Sequence, residues 1–242
     1  MITTLCFDFG NTRLKCAVFE DGTLNAVETL PDAGPATISS LIDKYHPAKS
    51  LLASVINHHP EIEKILTEKT KFHRLDHHSK IPVTTPVGKP ETIGADRLAM
   101  VVAAAELFPG KNNVAIGLGT AITYNFINRK KEFLGGGISP GMEMRFKSLH
   151  ELTARLPLIE KNWNFPLIGY DTRTNILSGV ILGMAKEIDG MIDLYTEKYA
   201  NLNVVLTGGD AGYFASHLKN RIFADPDLIF KGLYAISELN NV

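Results

Sequence analysis

The 242-residue sequence predicts an α/β protein made of two lobes. Segments typical of strands alternate with segments typical of helices, which favours a sheet covered by helices. In two places an apolar strand runs into Gly and Thr and then returns as a second strand, at Gly10-Asn11-Thr12 and at Gly119-Thr120. This repeated layout predicts two related halves, which we place at residues 1–110 and 111–242.

The N-terminal half opens with three predicted strands, over residues 2–9, 13–19 and 24–30, and Asp21-Gly22 is a hairpin signal between the last two. A helix over 36–44, a strand over 51–56 and a helix over 60–68 follow. Repeated Pro and Gly make residues 76–91 an irregular loop. An alanine-rich helix over 98–108 comes next, so Gly94-Ala95-Asp96-Arg97 lies at a helix N-terminus, which favours anions.

The C-terminal half begins with a hairpin of strands over 113–118 and 121–127, followed by a glycine-rich stretch over 135–141. Helices are predicted over 142–156, 176–199 and 211–218. Between the last two, a strand over 203–206 ends in Thr207-Gly208-Gly209, a turn that lets backbone approach a ligand closely.

Charge and composition favour a small-molecule partner. The 26 acidic and 25 basic residues nearly cancel, so no long-range field would recruit nucleic acid or an anionic membrane. The two cysteines, Cys6 and Cys16, lie in apolar segments and are expected to be buried free thiols. The N-terminus does not read as a secretion signal and no apolar run suits a membrane span, so we expect a cytoplasmic protein.

The segment from Asp8 to Lys15 has the residue types that a phosphate site needs. Asp8 offers an oxygen ligand for Mg²⁺, and Gly10 lets backbone N–H groups reach phosphate oxygens. Asn11 and Thr12 add neutral donors, and Lys15 adds a positive charge. A plain β-turn with a surface lysine is the alternative. An acidic residue within an apolar strand nevertheless costs stability unless it has a partner or a task.

The adjacent pairs His58-His59 and His77-His78 do not suggest a metal site. Neighbouring residues on a strand or helix point apart and do not converge on one ion. We expect all four to be solvated loop histidines, and we expect Trp163 to be a packing residue.

Five motifs in order along the chain identify a family. The patterns D-x-G-N-T-x-x-K, G-x-D-R, G-T-A, G-G-x-I-x-P-G and T-G-G occur at residues 8–15, 94–97, 119–121, 135–141 and 207–209. In this combination the sequence resembles the type III pantothenate kinases. The resemblance implies two ribonuclease-H-like lobes of actin-like ATPase type, with an ATP cleft between them. It also implies phosphorylation of pantothenate by ATP to 4′-phosphopantothenate, the first step of coenzyme A biosynthesis, with Mg²⁺ as the metal.

The resemblance also assigns roles to individual residues. Asp96 is the expected general base, and Asp8 is the expected metal ligand. Pantothenate is expected to contact Gly94, Ala95, Asp96, Arg97 and Thr172. ATP is expected to contact Asp8, Phe9, Gly10, Asn11, Thr12, Arg13, Leu14, Lys15, Thr120, Gly208 and Gly209. The threonine that corresponds to Thr172 lies near a dimer interface in relatives, so a homodimer is implied.

Two positions depart from the family pattern. Gly117 stands where members usually have an Asp that helps to bind a monovalent cation, which argues against a need for K⁺ or NH₄⁺. Val87 stands where a substrate-contacting Tyr is common. Because fold does not settle substrate and Val87 departs from the pattern, another small-molecule kinase of the same fold stays open. A non-catalytic ATP-binding accessory factor for transcription also stays open, since some chains of the resembled family were first described in that role.

Overall fold

A computed structural model describes residues 2–86 and 88–241 of the chain. The chain divides into two compact units. Unit 1 comprises residues 1–110, 127–134 and 227–242, and unit 2 comprises residues 111–126 and 135–226. This division differs from the predicted lobes, because residues 127–134 and 227–242 were assigned to the C-terminal lobe and belong to unit 1.

Unit 1 is built on a five-stranded sheet of order β3-β2-β1-β4-β5. Its strands are β1 Thr3–Phe9, β2 Leu14–Glu20, β3 Thr23–Leu30, β4 Lys49–Ser54 and β5 Lys71–Arg74. Strand β1 pairs antiparallel with β2 and parallel with β4. Its helices are α1 Pro35–Tyr45, α2 Pro60–Lys69, α3 Ala95–Leu107 and α8 Leu228–Asn240.

The two faces of this sheet pack against different helix pairs. Because successive side chains of a strand point to opposite faces, Leu5, Phe7 and Phe9 of β1 join the core formed with α1 and α2. Cys6 joins the core formed with α3 and α8. Asp8 alternates with Phe7 and Phe9 and therefore points to the α3 and α8 side.

Unit 2 is built on a second five-stranded sheet, of order β10-β9-β6-β7-β8. Its strands are β6 Asn112–Leu118, β7 Ala121–Ile127, β8 Phe133–Pro140, β9 Leu202–Thr207 and β10 Phe223–Ala224. Its helices are α4 Met142–Glu151, α5 Thr172–Leu177, α6 Gly183–Lys198 and α7 Ala211–Phe214. A π-helical turn, Ser178–Leu182, joins α5 to α6, and a 3₁₀ turn, Ala215–His217, follows α7.

Several elements differ from the sequence predictions. The glycine-rich stretch is part of strand β8, because β8 runs so close to β7 that a Cβ on Gly136 would lie 1.8 Å from the Tyr124 carbonyl oxygen. The short strands β5 and β10 and the helix α8 were not predicted. The helix predicted over 142–156 ends at Glu151, and the helix predicted over 176–199 starts four residues early, at Thr172, and contains the π turn.

Helix α8 explains why the C-terminus belongs to unit 1. It buries Phe230, Leu233 and Ile236 in the core that it shares with α3. A Cβ added at Gly232 would lie 1.9 Å from the Ala99 carbonyl oxygen, so the two helix backbones are in close contact. None of the helices in the described part of the chain has the length and apolar character of a bilayer-spanning segment.

Candidate active site

The predicted phosphate loop of unit 1 is a tight turn between β1 and β2. Strand β1 ends at Phe9, and the Gly10 amide donates to the Arg13 carbonyl oxygen at 3.2 Å. Asn11, Thr12 and Arg13 are exposed at the tip of this turn. The turn therefore presents backbone and side-chain donors to solvent, as a phosphate site requires.

Asp8 lies one residue before the end of β1 and faces Lys15 across the antiparallel pair. The pKa of Asp8 is raised to about 6, first by burial and second by the negative charge of Asp96, while Lys15 acts in the opposite direction. Lys15 extends over the Phe230 ring, with its Nζ 5.9 Å from the ring centroid. The structure thus brings Asp8, Lys15 and Asp96 together within unit 1.

Asp96 lies in the first turn of α3, for which Gly94 is the N-cap. The Arg97 and Leu98 amides both donate to the Gly94 carbonyl oxygen, at 3.0 and 3.1 Å. The Asp96 carboxylate folds back over Gly94, where an added Cβ would lie 2.5 Å from its Oδ1. Asp96 is thus an acidic residue in the first turn of the helix, where the helix dipole interacts favourably with negative charge.

Arg97 follows Asp96 and is half-buried. Its guanidinium carbon lies 5.7 Å from the centroid of the Phe133 ring, a cation–π distance. Gly94 and Ala95 are also half-buried. The G-x-D-R motif therefore forms the start of α3, and this start lies three residues earlier than the helix predicted from sequence. The expectation for Val87 concerns a residue outside the described ranges.

Asp8 and Asp96 form a pair of neighbouring carboxylates that a divalent cation would stabilise. Two like charges in a partly buried site repel, and this repulsion contributes to the raised pKa of Asp8. No group of three or more His, Cys, Asp or Glu side chains that could hold a metal occurs among the described residues.

In unit 2, the hairpin between β6 and β7 carries Thr120, which is exposed. The start of α4 supports this hairpin, because the Gly141 amide donates to the Thr120 carbonyl oxygen at 3.0 Å. A Cβ on Gly141 would lie 2.1 Å from the Gly119 carbonyl oxygen. The glycine that ends the G-G-x-I-x-P-G motif is therefore needed to hold the Thr120 hairpin in place.

The loop Thr207–Gly209 follows β9 in the same unit. Gly208 has a φ of +97°, and a Cβ there would lie 2.4 Å from the Leu118 carbonyl oxygen, so only glycine fits without strain. Among the described residues, the buried Thr207 hydroxyl has no hydrogen-bond partner. A buried unpaired hydroxyl in a glycine loop is a candidate ligand contact.

Thr172 is the exposed first residue of α5, which begins with a capping box formed by Asp171 and Thr174. It lines a cavity of about 660 Å³ within unit 2. Arg145 and Ser148 of α4 also line this cavity, together with Leu149, Leu156, Asn175, Ile176, Gly179 and Val180.

Sequence reasoning missed a polar network beside this cavity. Arg145 contacts Glu187 of α6 and donates from Nε to the Pro140 carbonyl oxygen at 2.8 Å. The Tyr124 hydroxyl donates to Glu187 Oε1 at 3.1 Å. These residues are far apart in sequence, so local pattern gives no signal for the network.

The expectation for the histidines is wrong for His58. Its side chain is only 5% exposed, and its Nε2 lies 2.9 Å from Glu63 Oε1. Its ring meets the Phe9 ring edge-on, with 5.8 Å between centroids. His58 is therefore a packed residue beside the end of β1. Helix α2 places Glu63 next to it, one helical turn after Pro60.

Comparison with known proteins agrees with the motifs. The family model described as type III pantothenate kinase matches residues 4–194. A protein of Christiangramia forsetii named type III pantothenate kinase is 39% identical over 238 residues, covering 98% of each chain. A protein of the same name from Bacteroides fragilis is 41% identical over 243 residues, again covering 98% of each chain.

Solved structures show the same fold. A Campylobacter jejuni protein assigned to the Baf family of transcriptional activators is similar with a TM-score of 0.61 and 23% identity, over 97% of both chains. A glucokinase from an Antarctic psychrotroph is similar with a TM-score of 0.54 and 11% identity, over 98% of this chain and 99% of that one. The predicted α/β fold, with two ribonuclease-H-like lobes of actin-like ATPase type, is confirmed. The chain belongs to the type III pantothenate kinase family.

Proposed function

We propose that this protein transfers the γ-phosphate of ATP to pantothenate, giving ADP and 4′-phosphopantothenate, the first step of coenzyme A biosynthesis. The pairing of Asp8 with Asp96 in unit 1 is the observation that carries this proposal. Phosphoryl transfer needs one carboxylate that supports the metal and another that takes the proton of the attacking hydroxyl. Because the reaction consumes ATP, we propose that it takes place in the cytoplasm.

Asp96 is the proposed general base. Its carboxylate lies in the first turn of α3 and is proposed to accept the proton of the primary hydroxyl of pantothenate. Gly94, Ala95 and Arg97 are proposed to orient the substrate around it, with Arg97 held by the Phe133 ring. Positioning of the reacting groups and electrostatic stabilisation are the main contributions that a protein makes to phosphoryl transfer.

Asp8 is the proposed ligand of Mg²⁺, directly or through its water shell. The raised pKa of Asp8 fits this role, because a cation would relieve the repulsion from Asp96. When bound, Mg²⁺ supplies positive charge to the phosphate oxygens. Lys15, directly across the strand pair, adds a second positive charge on the same side.

Each unit has residues that we propose as ATP contacts, described here unit by unit. Unit 1 contributes the turn over residues 8–15, whose exposed tip offers donors to phosphate oxygens. Unit 2 contributes Thr120 and the loop with Gly208 and Gly209. The unpaired Thr207 hydroxyl and the positive φ of Gly208 support a ligand at this loop.

We propose that turnover does not require K⁺ or NH₄⁺. Gly117 is buried in β6 and lies opposite Thr207 of β9 in the parallel register. Neither residue has a carboxylate, so this strand pair lacks the negative side chain that would hold a monovalent cation at this position.

We also propose that the protein acts as a homodimer through unit 2, with Thr172 near the interface. Leu167, Ile168 and Tyr170 are 77%, 84% and 81% exposed, and they precede Thr172 directly in the chain. Large apolar side chains exposed together mark interaction surfaces. A second copy of the chain would cover them.

The substrate can be tested by mass spectrometry of the products. Purified protein with Mg²⁺ and ATP is offered pantothenate, and in parallel a panel of hexoses and short carboxylates. We expect a phosphorylated product from pantothenate alone. A phosphorylated sugar without phosphopantothenate would favour another kinase of this fold, and ATP binding without any product would favour the accessory-factor alternative.

A further inference from the structure

An extended segment, residues 156–169, lies between α4 and α5 and packs against α7. We call it the strap. Three contacts hold it to unit 2: Lys161 Nζ lies 2.7 Å from Asp210 Oδ1, Trp163 Nε1 donates to the Tyr213 carbonyl oxygen at 3.1 Å, and the Ser178 hydroxyl donates to the Leu167 carbonyl oxygen at 2.6 Å. Two of these contacts are made with the segment that directly follows the proposed nucleotide loop.

Asp210 connects this loop to α7. It follows Gly209 directly, and its amide donates to the Leu118 carbonyl oxygen at 3.2 Å. Its own carbonyl oxygen accepts from the Tyr213 and Phe214 amides, at 3.0 and 3.2 Å. Movement of the Asp210 backbone would therefore move both the loop and the start of the helix.

The Asp210 side chain depends on Lys161 for its charge balance. The carboxylate is only 11% exposed, whereas the Lys161 side chain is 41% exposed. Removing Lys161 leaves the largely buried carboxylate without its counter-charge, which the structure relieves by turning the group toward water. Without Lys161, Asp210 would turn outward and displace Gly208 and Gly209.

Trp163 is stacked beside the same helix. Its ring lies 3.5 Å from the His217 ring at an angle of 7°, and 5.0 Å from the Tyr213 ring, measured between centroids. It is the single tryptophan of the chain. Its fluorescence therefore reports on the packing of the strap against α7 alone.

We infer that Lys161 is a positioning residue for the nucleotide, acting through Asp210 on the loop Thr207–Gly209, and that the strap carries this effect. The inference rests on the proposed function, in which this loop binds ATP. The buried, unpaired Thr207 hydroxyl independently points to a ligand at the loop. Substrate binding at the start of α3 does not depend on this pair, so the effect is confined to ATP.

The test compares Lys161→Met with Lys219→Met. Lys219 is a matched control, because it forms an ion pair with Asp193 at 2.5 Å elsewhere in unit 2. ATP affinity is measured by calorimetry with Mg²⁺, and Trp163 fluorescence is recorded during the same titration. We expect Lys161→Met to weaken ATP binding about 10-fold or more, with the KM for pantothenate unchanged, whereas Lys219→Met binds ATP like the wild type.

Two further variants separate positioning from a general loss of stability. Lys161→Arg keeps the charge and should restore ATP affinity to within about 3-fold of the wild type, an effect of under 1 kcal/mol. Adding Asp210→Asn to Lys161→Met should cause no further loss, because the double variant no longer contains an unpaired carboxylate. If Lys161→Met does not fold, Lys161→Gln is measured in its place.

The outcomes distinguish this inference from the proposed function. If the wild type binds ATP and Lys161→Met or Lys161→Gln binds it equally tightly, the inference is overturned and the proposed function stands. The same holds if Lys219→Met loses as much affinity as Lys161→Met. If the wild type does not bind ATP in calorimetry, the proposed function is overturned and the inference with it.

Discussion

Asp96 lies close enough to Asp8 for its negative charge to raise the pKa of the Asp8 carboxyl, as the second cause after burial. The two residues are 88 positions apart in sequence, and the alternation of β1 brings them together. Asp8 points to the sheet face covered by α3, and Asp96 lies in the first turn of that helix. In this arrangement the two carboxylates repel each other, and a bound cation would relieve the repulsion.

The first prediction concerns the pH dependence of stability without ligand. The pKa of Asp8 rises from 3.8 to about 6 on folding. Between these values the unfolded chain releases a proton that the folded chain keeps, so the free energy of unfolding falls as pH rises from about 4 to 6. The Asp8→Asn variant has no carboxyl group at this position, so this fall in the free energy of unfolding does not occur in it. Its stability relative to the wild type should therefore increase by about 2–3 kcal/mol between pH 4 and pH 7.

Urea unfolding at several pH values measures this difference. Asp171→Asn is a control of opposite sign, because hydrogen bonds from the backbone and side chain of Thr174 lower the pKa of Asp171. That variant should lose most relative to the wild type at neutral pH and least in acid. A stability difference between Asp8→Asn and the wild type that does not change with pH would show that folding does not raise the pKa of Asp8.

The second prediction compares two helical glycines. Gly232→Ala places a Cβ 1.9 Å from the Ala99 carbonyl oxygen and must separate α8 from α3, so it should cost about 1–3 kcal/mol of stability. At Gly190 of α6 nothing lies within 4 Å of an added Cβ. Gly190→Ala should therefore be neutral or stabilising by up to about 1 kcal/mol.

Thermal unfolding of both variants gives the comparison. Because α3 carries Asp96, we also expect Gly232→Ala to lower kcat, whereas Gly190→Ala keeps it. Equal melting temperatures for the two variants would mean that α8 does not constrain α3 as the structure shows.

The third prediction concerns monovalent cations. Since Gly117 and Thr207 offer no carboxylate in the β6–β9 pair, turnover in potassium buffer should be within about 2-fold of turnover in sodium buffer, a difference of roughly 0.4 kcal/mol in activation free energy. Initial rates at matched ionic strength measure this ratio. Activity that appears only in potassium or ammonium would show that another group supplies the cation site.

The fourth prediction concerns assembly. Ile168→Glu places a charge in the exposed apolar segment before Thr172 and should convert a dimer to a monomer in sedimentation experiments, because burying an unpaired charge is costly. Leu239→Glu is the control, since Leu239 is a 40% exposed apolar residue on α8 of unit 1. A wild type that sediments as a monomer, or an Ile168→Glu variant that remains dimeric, would refute this interface.

Part of the candidate site was indicated by residue types that are unusual for their local structure, and the roles assigned to these residues stay predictions. An acidic residue in an apolar strand indicated Asp8, whereas the role of Asp96 follows from the resemblance of the G-x-D-R motif to the family. The strand β8 could not be recognised, because its glycines are normally breakers and become explicable only through the close approach of Gly136 to Tyr124.

Other features depend on contacts that no local pattern encodes. Helix α8 contains Gly232, which weakens a helical pattern, and the reason for that glycine is the contact with Ala99 of α3. The ion pair between Lys161 and Asp210 joins residues 49 positions apart. Both features can be recognised only in the folded structure. The motifs that identify the family, in contrast, are short and continuous in sequence.

The most direct test of the central claim is pantothenate-dependent ADP release by the wild type and by Asp96→Asn, with Mg²⁺-ATP affinity measured in both. The proposed mechanism predicts ADP release that requires pantothenate and falls about 10²- to 10⁴-fold in Asp96→Asn, while ATP affinity changes little, because only the base is lost. Turnover of Asp96→Asn at the wild-type rate, or ADP release by the wild type that is indifferent to pantothenate, would contradict it.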